Sequence, residues 1–299
     1  MNNAINNTYY PKEWKKSIII PILKPGKDPT NPYNYRPISL LPNISKIFEK
    51  IIKEIIINTT NELKILNENQ FGFRKKHGSV HAINKLISDI CWNINKKECV
   101  GAILTDIKDA FTSVWSNGLI YKLVKYKFPI KLIKIIKNMI TDKTFFMHNK
   151  GIYSEKQYNI KNGLQQGTIT SPILFILFIN EIMNIINNFK NNNNTGIAFA
   201  DDIIIYTSNK NIDNLNLDLQ KLYNIIQNYI STWKLSINYE KCELILFRDI
   251  LKNCHNSVRK KWKKLYIKEN NSNKYQIKIV KYLGINLTNN LNYTKHILI

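Results

Sequence analysis

The sequence predicts an α+β fold, an antiparallel sheet backed by helices. Two observations predict it. Short apolar, strand-like runs alternate with helix-length amphipathic segments, and from residue 100 onward their order is β, α, ββ, α, β, a split βαβ arrangement. In addition, three aspartates stand at the tips of apolar strands, where a buried sheet meets a turn.

The elements follow in order. Residues 17–23 are β-branched and apolar, which predicts a strand. Residues 24–37 hold four prolines and one glycine and read as an extended or turning loop. Residues 45–57 carry Ile47, Phe48, Ile51, Ile52, Ile55 and Ile56 at helical spacing. Residues 80–92 form a second helix, with Ala82, Ile83, Leu86, Ile87 and Ile90 on one face. Residues 100–104 make a short strand that runs into Asp106. Residues 119–140 read as one basic helix. Residues 170–186 read as another, with Ser171-Pro172 as its start signal. Residues 196–208 resemble a hairpin with Asp201-Asp202 at its turn, and 215–230 are helical. Residues 235–247 and 278–287 are strand-like.

Composition narrows the function. The 299 residues suffice for one large core or two modest ones. The chain carries 44 Lys and Arg against 21 Asp and Glu, a net charge of +23. Its apolar share of 44% excludes a disordered basic tail. The longest apolar stretch, 172–179, is far shorter than the roughly 20 residues a membrane helix needs. No signal-peptide pattern opens the chain, so an intracellular protein with no membrane partner is expected. The four cysteines form no Cys-x-x-Cys pair and read as free thiols. Ile, Asn and Lys dominate the composition, as an AT-rich gene would produce, so part of the charge reflects codon drift. The remainder favours a polyanionic partner. The tract 187–195 is a low-complexity loop, and no internal repeat is present.

The acids carry the chemistry. Asp106 follows 102–105, and Asp201-Asp202 lie between apolar runs at 197–200 and 203–205. Adjacent aspartates repel, and a divalent cation removes that cost. Mg²⁺ takes oxygen ligands, commonly one or two carboxylates plus substrate phosphates. A solvated hairpin turn is the alternative. His77 and His81, four apart and without a third ligand, read as structural. The basic run 259–264, with Trp262 inside it, suits either a nucleic-acid strand or a solvated or nuclear-entry face.

Eight segments, in order and across nearly the whole chain, resemble the motifs of reverse transcriptases. Leu104-Thr105-Asp106-Ile107-Lys108-Asp109-Ala110-Phe111 resembles motif A, and residues 163–172, beginning Gly163-Leu164-Gln165-Gln166-Gly167, resemble motif B. Phe199-Ala200-Asp201-Asp202 resembles motif C in the form found in non-LTR (LINE-type, jockey-like) retrotransposons. Residues 21–28, 34–41 and 69–74 are similar to fingers motifs; 235–242 and 281–285 are similar to motifs D and E.

The resemblance implies a right-hand polymerase: RNA-directed DNA synthesis by two-metal nucleotidyl transfer from a dNTP to a primer 3′-hydroxyl. It implies fingers at 1–99, palm at 100–118 and 155–250, fingers and palm helices at 119–154, and motif E with the start of a truncated thumb at 251–299. By resemblance Asp106, Asp201 and Asp202 are catalytic and hold two Mg²⁺ (or Mn²⁺) ions, together with the Ile107 carbonyl. Lys24 and Arg36 would grip the triphosphate, Phe111 would exclude a 2′-hydroxyl, and Gln166 would pack on the nucleotide. Lys241 would protonate pyrophosphate, and Tyr282, Leu283 and Gly284 would form the primer grip. The implied partners are an RNA template, a DNA primer and dNTP, in nucleus and cytoplasm. Such elements also carry an endonuclease, a thumb and a Cys-rich region that these residues do not encode. The alternative is an inactive nucleic-acid-binding remnant with a polymerase fold. Two departures stand out: Thr112 replaces an aspartate, and Gln165 replaces a proline and is expected to loosen its loop.

Overall fold

The computed structural model describes residues 1–189, 194–248, 264–269 and 272–291. Cys254, the basic residues 259–263 and part of the asparagine tract lie outside the described residues. The elements of the first half are α1 (Asn2–Asn6), β1 (Lys16–Leu23), β2 (Tyr35–Leu40), α2 (Asn43–Glu62), α3 (Ser79–Asn95), β3 (Cys99–Asp106), α4 (Ser116–Lys125), α5 (Ile130–Ile140), β4 (Lys143–Asn149), β5 (Ile152–Tyr153) and β6 (Tyr158–Ile160). The second half adds α6 (Ser171–Ile179), α7 (Glu181–Asn187), β7 (Thr195–Phe199), β8 (Asp202–Asn209), α8 (Ile212–Thr232), β9 (Glu243–Phe247), β10 (Tyr266–Glu269), β11 (Ser272–Tyr275), β12 (Ile279–Tyr282) and β13 (Ile285–Thr288). No helix among them is long and apolar enough to cross a membrane.

The chain divides into two compact units. The first comprises Met1–Leu66 and Asp109–Ile179. Its sheet has the order β2-β1-β4-β5, with β6 also on β4. β1 pairs antiparallel with β2 and parallel with β4. Pro21 and Pro37 face each other in that register, beyond the stretch where β1 meets β4. A missing N–H costs nothing at such an edge. α6 is apolar on every side and buried along its length, as a helix without a polar face must be.

The second unit comprises Asn67–Lys108 and Asn180–Ile299. Its four-stranded antiparallel sheet has the order β7-β8-β3-β9. β3 is central, and its residues 100–103 read as a continuous apolar run because neighbours cover both faces. Ala82, Ile83, Leu86 and Ile90 of α3 pack on one face, in a core with Val100, Ile197, Ile204 and Tyr206.

Five expectations need correction. The run 119–140 is two helices, because Pro129 lacks an N–H and bars Phe128 from helical backbone. The run 170–186 is divided at Asn180, whose carboxamide accepts the Asn67 N–H at 2.9 Å. The strand expected over 235–247 is confined to Glu243–Phe247, since Asn238 opens a 3₁₀ turn over Tyr239–Lys241. The loop expected to reach Pro37 ends at Tyr35, where β2 begins. The hairpin over 278–287 replaces a single strand, because Leu283 and Gly284 both adopt positive φ.

Candidate active site

Antiparallel pairing between β3 and β8 builds the site. The ladder runs from Cys99↔Asn209 to Asp106↔Asp202, so its last pair sets two carboxylates directly opposite each other. Opposed residues on antiparallel strands lie about 5 Å apart between Cα atoms. The β7–β8 hairpin closes with Phe199↔Asp202, which leaves Ala200-Asp201 as a two-residue turn. Asp201 therefore sits at the tip, one residue from the opposed pair. Ala200 takes φ 60, the position a primed turn usually fills with glycine. Thr105 donates to the Ile203 carbonyl at 3.0 Å and pins the strand ends together.

The other side of β3 fixes Ile107. The Asn238 N–H donates to the Asp106 carbonyl at 2.8 Å, and the Lys108 N–H to the Ser236 carbonyl at 2.9 Å. In this bridge between Ile107 and Ile237, the peptide groups of Ile107 itself face the opposite edge, the side where Asp202 stands. Lys241 follows the same turn and places Nζ 3.1 Å from Asp106 Oδ2.

The electrostatics follow from crowding. Asp201 is pushed above the ordinary carboxylate range, first by burial and then by Asp106, with Lys241 opposing. Asp202 is pushed up to about 6 by burial, Asp201 and Asp106. Its side chain still opens to solvent at the cavity mouth, so screening tempers the shift without changing its direction. The cavity measures about 370 Å³ and is lined by Asp106, Asp202, Lys241, Lys281, Tyr282 and Leu283. Thus Tyr282 and Leu283 face the same space as two of the acids, with Gly284 next in the turn. Tyr282 is buried, and its hydroxyl has no hydrogen-bond partner among the described residues.

These oxygen donors suit a hard divalent cation, which would also relieve the mutual repulsion of three acids. Among the described residues no group of three or more His, Cys, Asp or Glu is placed to hold a metal ion by itself. A partial set matches an ion that completes its shell with substrate phosphates and water.

The remaining candidates stand in the first unit. Lys24, at the tip of the β1–β2 hairpin, donates to the Tyr33 carbonyl at 2.9 Å. Arg36 is exposed on β2, opposite Ile22. The Ser39 N–H of the same strand donates to the Gln166 carbonyl at 2.7 Å, and the Leu164 N–H to the Phe111 carbonyl at 2.7 Å. Strand β2, the loop 163–170 and Phe111 thus share hydrogen-bonded surroundings. Phe111 is half-buried and stacks on Phe175 with ring centroids 4.8 Å apart. A Cβ on Gly163 would lie 2.3 Å from the Thr112 carbonyl oxygen, so only glycine permits that approach. Thr112 bonds the Asp109 carbonyl at 3.1 Å. Gln165 corrects its expectation: it is buried and donates to Ser17 Oγ at 2.7 Å, which fastens the loop rather than loosening it.

Sequence reading gave no individual role to Gln70, Glu49 or Lys143. Gln70 lies inside the motif at 69–74, and only that placement could have marked it. Glu49 and Lys143 are charges in ordinary amphipathic surroundings, and their burial emerges only on folding.

Comparison with known proteins agrees with this architecture. Residues 22–287 match the family described as reverse transcriptase (RNA-dependent DNA polymerase). The chain is 31% identical over 299 residues to the RNA-directed DNA polymerase from mobile element jockey of Drosophila melanogaster, covering 99% of this chain and 31% of that protein. It is 31% identical over 80% of its length to the probable RNA-directed DNA polymerase from transposon BS of the same fly. It spans about a third of the length of such relatives. Telomerase of Candida tropicalis in complex with a fragment of telomeric RNA shares the fold, with a TM-score of 0.63 at 15% identity, over 96% of this chain and 45% of that one.

Proposed function

Because the chain belongs to the reverse transcriptase (RNA-dependent DNA polymerase) family, we propose that it carries the RNA-directed DNA polymerase core of a non-LTR retrotransposon. The opposed pair Asp106↔Asp202, with Asp201 at the adjoining tip, is the observation that carries this reading. In it, Asp106, Asp201, Asp202 and the Ile107 carbonyl would hold two Mg²⁺ ions, which when bound would supply activation of a primer hydroxyl and charge stabilisation of the leaving pyrophosphate.

The chain's own groups do the positioning. Arg36 presents a planar fork to triphosphate oxygens, and Lys24 a mobile point charge. Phe111, held by Phe175, forms a floor that rejects a 2′-hydroxyl. Gln166 packs on the incoming nucleotide from a loop whose glycines allow close approach. Lys241, whose Nζ lies 3.1 Å from Asp106 Oδ2, would offer its proton to the leaving pyrophosphate. Tyr282, Leu283 and Gly284 support the primer end. Palm residues 100–118 and 155–250 carry the acids; 1–99 and 119–154 supply fingers, and 251–299 begin the thumb. The RNA template and DNA primer are the partners.

Primer extension on poly(rA)/oligo(dT) with Mg²⁺ tests the reading. The wild-type chain is expected to extend the primer, and Asp201→Asn to lose more than about 100-fold of the rate, the scale of removing a transition-state charge stabiliser. Equal background from both chains would overturn it and leave a nucleic-acid-binding remnant.

A further inference from the structure

The acidic turn is held from behind by a neutral side chain. Gln70 is only 1% exposed. Its Oε1 accepts two backbone N–H groups, from Gly72 at 2.9 Å and from Ala200 at 3.2 Å. Ala200 is the residue with positive φ immediately before Asp201. The surrounding segment lies along β7 like an added strand. The Phe71 N–H donates to the Ala198 carbonyl at 2.7 Å, and the Ala198 N–H to the Asn69 carbonyl at 2.9 Å. Gly72 touches the turn directly: a Cβ there would lie 2.2 Å from the Ala200 nitrogen. Arg74 binds the Asn67 and Gln70 carbonyls, both at 2.9 Å, and fixes the segment's own curvature.

Two N–H groups converging on one atom demand an acceptor, so the carboxamide has only one sensible orientation. The amide nitrogen is thereby turned away and buried, with no partner among the described residues. A buried unsatisfied donor is costly. A glutamate would accept the same two bonds without that donor. It would also add a fourth negative charge beside three acids that already repel one another. Glutamine keeps the acceptor and omits the charge.

We infer that Gln70 is a positioning residue: by accepting the Ala200 N–H it holds the strained turn in the one form that offers Asp201 and Asp202 to a divalent cation. The inference rests on the polymerase reading for its purpose, not for its geometry. Partners that orient metal ligands without touching the metal typically change affinity by about 10–100-fold when removed.

The test titrates Mn²⁺ alone into the full chain and follows free ion by electron paramagnetic resonance. Hydrogen exchange of the peptide covering Ala200 is read on the same samples. Gln70→Leu, which keeps the bulk and removes the acceptor, should bind Mn²⁺ about tenfold more weakly and lose protection at Ala200. Gln70→Glu, which keeps the acceptor, should retain that protection and bind Mn²⁺ at least as tightly as wild type. Wild-type affinity in Gln70→Leu overturns the inference. So does loss of binding in a folded Gln70→Glu, a variant that decides the matter even where Gln70→Leu does not fold. Primer extension by the wild-type chain separates the two claims. No extension with the Mn²⁺ results as expected sinks the polymerase reading and leaves the turn support standing; extension with unaffected variants does the reverse.

Discussion

Asp202 faces an aspartate across the sheet and follows another in sequence, so its proton affinity reports on all three acids. Burial and two like charges lift it from 3.8 to about 6. The folded chain then holds this proton more tightly than the unfolded chain does. By linkage, the metal-free fold is favoured below the unfolded value and loses that advantage as pH rises through the folded value. The window is therefore about pH 4 to 6. Asp202→Asn removes the charge and keeps the shape. In chelator, its stability relative to wild type should climb from pH 4 to pH 6 and then level off. Urea unfolding at stepped pH measures this difference, which cancels the titration of groups that do not feel Asp202. A difference constant from pH 4 to 7 would show that neither burial nor the neighbouring acids raise Asp202. This sign also explains why a cation belongs there: ion and proton compete for the same oxygens.

At the scale of elements, the glycine loop 163–170 is tied at both ends by buried charge. Glu49 of α2 accepts the Ile169 N–H at 2.7 Å and the Thr170 N–H at 3.3 Å. Lys143 of β4 donates to the Gly163 carbonyl at 2.6 Å. Burial raises Glu49 and lowers Lys143 to about 8, and each charge opposes the other's shift. Removing one partner strands the other. Glu49→Leu should cost about 3–5 kcal/mol in urea unfolding, and adding Lys143→Met should restore at least about half of it. Independent, additive losses would refute the coupling. These ties also show where sequence reading succeeds. Helices α2, α3 and α8 repeat apolar residues at 3.6 spacing over long spans, and the strand carrying Asp106 is an unbroken apolar run. Both patterns are local, so both were legible. The acids were legible because aspartate at an apolar strand tip conflicts with its surroundings. β4 and β6 were not, since Lys143, Asn149 and Asn159 break any alternation and their pairing with β1 or each other is long-range. Gln70 was hidden for the same reason: its meaning lies 130 positions away, at Ala200.

For the whole molecule, a net charge of +23 admits two origins, and they differ in one measurable respect. Lysines that reflect codon drift scatter over the surface and touch nothing. Lysines and arginines that bind a template–primer duplex neutralise phosphates and release counterions. Only the second kind makes affinity fall with salt in proportion to the number of phosphates engaged. Binding of an RNA–DNA duplex, followed by fluorescence anisotropy from 50 to 200 mM salt, should therefore weaken by about 10³-fold if about six phosphates are engaged. Asp201→Asn should leave that slope unchanged, because it alters the ion site and not the phosphate track. A nearly flat salt dependence would assign the charge to composition alone. The duplex would then have to be held through bases and sugars.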